Sequence, residues 1–205
     1  MKITWIIILL TSAISIPAFS NRAFFDKMKF NAFIIKENKQ WYRFISYGLI
    51  HADWMHLLIN MFVLYSFGEQ VEMMFIYIFG LKGTILFLIL YVSAIFISAY
   101  PSYEKHKNNS WYNAVGASGA VSAILFSSIL LLPSSKIYLL FIPFPIPAVI
   151  FGILYLIYSA YMAKKAVDNI GHDAHFWGAI YGLTFPIVLK PSLFLNFINQ
   201  IENIF

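Results

Sequence analysis

The chain contains no cysteine and little charge. The first absence excludes disulfides, thiolate metal sites and a cysteine nucleophile. The second is as restrictive: only 11% of the 205 residues are Asp, Glu, Lys or Arg, against about 25% in a soluble domain. Such a chain cannot cover a water-facing surface. No His-Glu-x-x-His run is present, which removes the commonest helical zinc motif. Internal repeats and low-complexity tracts are also lacking. What the chain has instead is 60% hydrophobic and 19% aromatic residues with a mean hydropathy of +0.74, the composition of an integral membrane protein. Its net charge of +5 suits contact with anionic lipid headgroups, and no surface for nucleic acid is evident. No cofactor is called for.

Apolar segments able to form helices run near 3–19, 54–73, 80–100, 118–133, 146–163 and 174–190. The expectation is therefore an all-α integral membrane protein with six transmembrane helices in a single domain over 1–205. The first segment also has features of a secretory signal, with Ala18-Phe19-Ser20 as a cleavage site. At ~1.5 Å per residue it reaches roughly 25 Å, and it is read as a retained span. Residues 20–53 are polar and aromatic and read as an interfacial segment. Residues 133–147 carry Pro133, Pro143, Pro145 and Pro147 and read as a helix break. A short polar link is expected over 164–173.

With six crossings, the second, fourth and sixth helices run in the same direction and start at one membrane face. Three polar features fall at or near those starts. His56 and Asn60, spaced i,i+4, share one helix face and could both donate to one anionic oxygen, or could simply bond neighbouring helices. Ser118 lies in Gly116-Ala117-Ser118-Gly119, a turn that offers free N–H groups at a helix start; small residues of this kind also serve plain packing. His175 precedes Gly178 by one turn, and Gly178 with Gly182 forms a small-xxx-small pair that admits a close neighbour. If that neighbour is the helix carrying Gly119, His175 meets Ser118, giving a serine and a base.

In order, HLLIN at 56–60, GASG at 116–119 and AHFWGAIYG at 174–182 resemble the signature of the rhomboid family of intramembrane serine proteases, over roughly residues 40–190. The resemblance implies a six-helix rhomboid-like bundle of the bacterial type that cleaves transmembrane segments of membrane proteins. By position, Ser118 resembles the nucleophile and His175 the general base of a dyad working through an acyl-enzyme. His56, Asn60 and the Ser118 N–H would form the oxyanion hole. Gly116, Gly119, Gly178 and Gly182 support helix packing, and Glu72 and Arg43 match structural polar residues. Two departures stand out. The first-loop pair reads Tyr42-Arg43, with Trp41 one place early, and Ser122 replaces an aromatic that many relatives stack on the histidine.

The implied location is the bacterial plasma membrane, with transmembrane substrates and lipids as partners. Most Lys and Arg fall in the loops of the Ser118 face, which by the positive-inside tendency would turn that face to the cytoplasm; the resemblance implies the outward side. An inactive rhomboid-like adaptor that binds membrane helices is the alternative. A metal or proton-coupled transporter using His51, His56, His172, His175 and Asp173 ranks below both, since no His-Glu-x-x-His is present and His51 and His172 fall in or near loops. A triad through Asp173 is disfavoured because, two residues before His175 on a helix, it should point away.

Overall fold

In the computed structural model, residues 2–139, 142–165 and 170–202 are described. The link expected over 164–173 therefore lies partly outside the described residues. Helices occupy Ile3–Ser20 (α1), Arg22–Met28 (α2), Ala32–Asn38 (α3), Arg43–Ser46 (α4), Trp54–Phe79 (α5), Gly83–His106 (α6), Ser118–Leu131 (α7), Ala148–Lys165 (α8), His172–Leu189 (α9) and Ser192–Glu202 (α10).

Six transmembrane helices are not what the structure shows. Among the described residues, three segments are long and apolar enough to cross a bilayer: α1, the stretch Trp54–His106, and α8. A fourth is gained if α9 and α10, bent by 117°, are taken as one. The stretch Trp54–His106 holds two helices that pack on each other across the 3-10 turn Gly80–Lys82. The expected fourth span is the short one. α7 has 14 residues, about 21 Å of helix against a hydrocarbon core of about 30 Å.

α7 is nonetheless the centre of the fold. Every residue from Gly119 to Leu131 is buried, and the helix packs on α5, α6, α8 and α9. An all-round apolar sequence is what a helix enclosed by other helices requires. The chain is mostly helical rather than all-α, because the proline-rich segment forms a two-stranded antiparallel hairpin. Lys136–Leu139 (β1) pairs with Ile142–Pro147 (β2), with Ile137 opposite Ile146. Prolines at alternate positions keep their missing N–H groups on one edge of the strand.

The segment expected at the interface folds into short helices, two of which are capped by asparagine. Asn21 accepts from the Phe24 N–H and Asn31 from the Ile34 N–H. Arg43, only 5% exposed, holds this segment together. Its guanidinium donates to the carbonyls of Asp26 (2.9 Å) and Lys29 (2.6 Å) and to Gln40 Oε1 (2.7 Å). Tyr42 donates to the Lys27 carbonyl at 3.2 Å, so it is also tied to this segment, while Trp41 stacks on Phe44.

Glu72 does a comparable job at the opposite end of α5. Its buried carboxylate accepts from the N–H groups of Ile3 (2.8 Å) and Thr4 (3.0 Å) and from the Thr4 hydroxyl (2.8 Å). The α1 N-cap residue, Lys2, makes no side-chain cap bond, so a carboxylate from another helix satisfies the orphan donors there.

Candidate active site

Ser118 is the first residue of α7, half-buried, with Ala117 before it at the cap position. The first N–H groups of any helix have no partner within it, so those at Ser118 and Gly119 are available to an anion. The turn leading in depends on glycine. Gly116 has φ +112°, and a β-carbon there would sit 2.6 Å from His56 Cε1 and 2.7 Å from Nε2. A larger residue would meet both penalties, strained backbone and a clash with the imidazole. The Gly116 N–H donates to the Tyr47 carbonyl at 2.9 Å, and Phe30 pairs with Ala114, so the interfacial segment braces the turn.

His56 thus lies against the turn that carries Ser118. The Ala52 N–H donates to His56 Nδ1 at 3.4 Å, which leaves the proton on Nε2, the nitrogen nearest the Gly116 turn. The start of α5 is fixed by Asp53, which accepts from the His56 N–H at 2.8 Å. Asn60 is buried one turn on and donates to the His56 carbonyl at 2.9 Å. Its amide has a second N–H to offer. Two donors on one face of α5, where the i,i+4 spacing puts them, and the helix start of α7 make a cluster of positive dipoles.

The two glycine pairs bring His175 alongside. A β-carbon on Gly178 would lie 2.1 Å from the Gly119 carbonyl oxygen, and one on Gly182 the same distance from that of Ala123. One on Gly119 would meet Ser98 Oγ at 2.1 Å and the Ala174 carbonyl at 3.3 Å. α7 and α9 therefore touch backbone to backbone, and the contact begins beside Ser118 and His175. These backbone approaches set the start of α7, with Ser118, against the start of α9, with His175. Asp173 turns away to an ion pair with Lys105 at 3.0 Å.

Two residues near the site were given no part in it by the sequence. His51 is completely buried; its Nε2 accepts from the Ala117 N–H at 3.4 Å, and its Nδ1 then donates to Ser15 Oγ at 3.1 Å. Burial, and secondarily the nearby His56, pushes its pKa down to about 3, so the ring is neutral. Only its place five residues before His56 hinted at this, and a loop histidine is ordinarily unremarkable. The other is Tyr155 of α8, which stacks on His175 with ring centroids 6.3 Å apart and planes 26° from parallel. Nothing in its run of apolar residues singled it out.

Comparison with known proteins identifies the family. The family described as Rhomboid domain matches residues 38–192, more than half of the chain. The chain is similar to RHOMBOID-like protein 12, mitochondrial, of Arabidopsis thaliana, at 28% identity over 172 residues, covering 77% of this chain and 50% of that protein. It is also similar to Presenilin-associated rhomboid-like protein, mitochondrial, of Homo sapiens and of Bos taurus. Each is 27% identical over 143 residues, covering 65% of this chain and 34% of the relative. The chain thus spans half or less of the length of these relatives, and their names are mitochondrial rather than bacterial. A helix start carrying Ser118, the donors of α5 beside it, His175 drawn in by paired glycines and a family match across the whole constellation lead to one conclusion: this chain belongs to the rhomboid family of membrane proteins.

Proposed function

We propose that this chain is an intramembrane serine endopeptidase that cuts transmembrane segments of membrane proteins with Ser118 and His175. The observation that carries the reading is the backbone contact of Gly119 with Gly178, which sets the head of α7 against the head of α9. The Ser118 hydroxyl attacks the scissile carbonyl as the His175 imidazole takes its proton. The oxyanion that forms is met by the Ser118 N–H, by His56 and by the free N–H of Asn60. The intermediate collapses as His175 returns the proton to the leaving amine. Water activated by the same imidazole then releases the acyl-enzyme.

Water is a reactant, so the site must open to a polar face, and the half-buried state of Ser118 at a helix start fits that need. A substrate helix hides its carbonyls in hydrogen bonds and must unwind locally before attack. Placement in a bacterial plasma membrane with the site facing outward rests on the family resemblance. In proteoliposomes, the full chain should cleave a single-span substrate, and Ser118→Ala and His175→Ala should each abolish cleavage. Cleavage retained in either variant refutes the dyad.

A further inference from the structure

The protease reading leaves a question about its base. An imidazole that must shuttle a proton needs a fixed ring plane, and the residue one turn below Ser118 is Ser122, too small to stack. The structure supplies the missing surface from another helix. Tyr155 of α8 lies against His175, and its hydroxyl meets Ser122 Oγ at 2.6 Å. Phe126 and Phe151 flank the tyrosine ring at 5.4 Å and 5.9 Å between centroids. A second contact lies one turn along both helices: Tyr158 meets His172 edge-on at 5.5 Å, and His172 meets His175 edge-on at 5.9 Å. The i,i+3 spacing of the two tyrosines matches that of the two histidines, so one face of α8 meets one face of α9 in two aromatic rungs.

Building on the protease reading, we infer that Tyr155 is the positioning residue of the catalytic base and that Ser122 is its anchor. The ring of Tyr155 fixes the plane of the His175 imidazole, and the hydroxyl pair with Ser122 fixes the ring. Ser122 is thus one half of a bipartite support whose aromatic half stands on α8. Offset aromatic pairs at these separations are stabilising, and a buried hydroxyl pair at 2.6 Å gives the direction that a stack alone lacks.

The test is steady-state cleavage of a single-span substrate by the full chain in proteoliposomes, with thermal melting of each variant. Tyr155→Leu should lower kcat roughly 10-fold or more with KM within about 2-fold, since base orientation matters in the transition state and not in binding. Tyr155→Phe keeps the ring and should recover most of that loss. Tyr155→Phe and Ser122→Ala should each cost about 2- to 5-fold, and the double variant should be no worse than either single one, because both remove one bond. A kcat within about 2-fold of the parent in a well-folded Tyr155→Leu overturns the proposal. If that variant fails to fold, the Phe/Ala cycle decides, and additive losses overturn it. Cleavage surviving in Ser118→Ala overturns the protease reading and this proposal together, whereas loss in Ser118→Ala beside an unaffected Tyr155→Leu overturns the proposal alone.

Discussion

On the proposed protease reading, His56 and Asn60 carry polar groups into an apolar helix to meet the oxyanion. His56 offers Nε2 on the side of the Ser118 turn, and Asn60, one turn on, keeps one amide N–H beyond the bond to the His56 carbonyl. Removing one oxyanion donor commonly costs about 10²- to 10³-fold in kcat. His56→Ala and Asn60→Ala are each expected to fall in that range in cleavage assays, with KM little changed. Glu72 carries its charge for another reason, to close the start of α1. Its loss orphans two N–H groups and a hydroxyl, so Glu72→Ala should destabilise the protein by about 1–3 kcal/mol, measured by thermal melting, while Ser118 stays reactive in the folded fraction. The sequence marked His56 and Asn60 because polar side chains are conspicuous in apolar runs, and Glu72 only through the family resemblance. Tyr155 was hidden for the opposite reason, since a tyrosine among apolar neighbours looks like any other membrane aromatic.

The seam between α7 and α9 decides whether the site exists. At Gly178 a β-carbon would fall 2.1 Å from a backbone oxygen, which no side-chain rotation can relieve. Gly178→Ala must therefore push the helices apart, with an expected destabilisation of about 1–3 kcal/mol and loss of cleavage as His175 moves off Ser118. The small-xxx-small spacing was legible in the sequence because it is a local pattern. The link made by His51 was not, because it joins α1, a loop and the α7 turn across the fold. It brings a pH dependence. His51 is held neutral in the folded protein, with a pKa of about 3, against about 6.5 when unfolded. Above pH 6.5 both states are neutral and the residue adds no slope. As pH falls towards 3 the unfolded chain takes up the proton first, so stability should drop by about 1.4 kcal/mol per pH unit from this group. Acid melts of the parent and of His51→Gln should differ in slope over that window.

At the scale of the molecule, hydropathy located the helices better than it located the membrane. The expected segments coincide with helices, yet α7 is as apolar as a span while being short and enclosed by protein. Hydropathy records what a helix avoids, not whether lipid or protein surrounds it. The α10 helix went unread because its apolar face alternates with Asn and Gln over only 11 residues. The lack of cysteine makes the topology directly measurable. Leu81, fully exposed between α5 and α6, and Trp111, 89% exposed ahead of α7, should lie on opposite sides of the bilayer. Single Leu81→Cys and Trp111→Cys variants should react with an impermeant maleimide from opposite sides, and labelling of both from one side would contradict the arrangement. The most direct measurement is mass spectrometry of the full chain after treatment with a fluorophosphonate in lipid nanodiscs. A single adduct on Ser118, absent from Ser118→Ala and strongly reduced in His175→Ala, is the expected result. An unmodified Ser118, or one modified equally well without His175, would contradict the assignment of Ser118 and His175 as nucleophile and base.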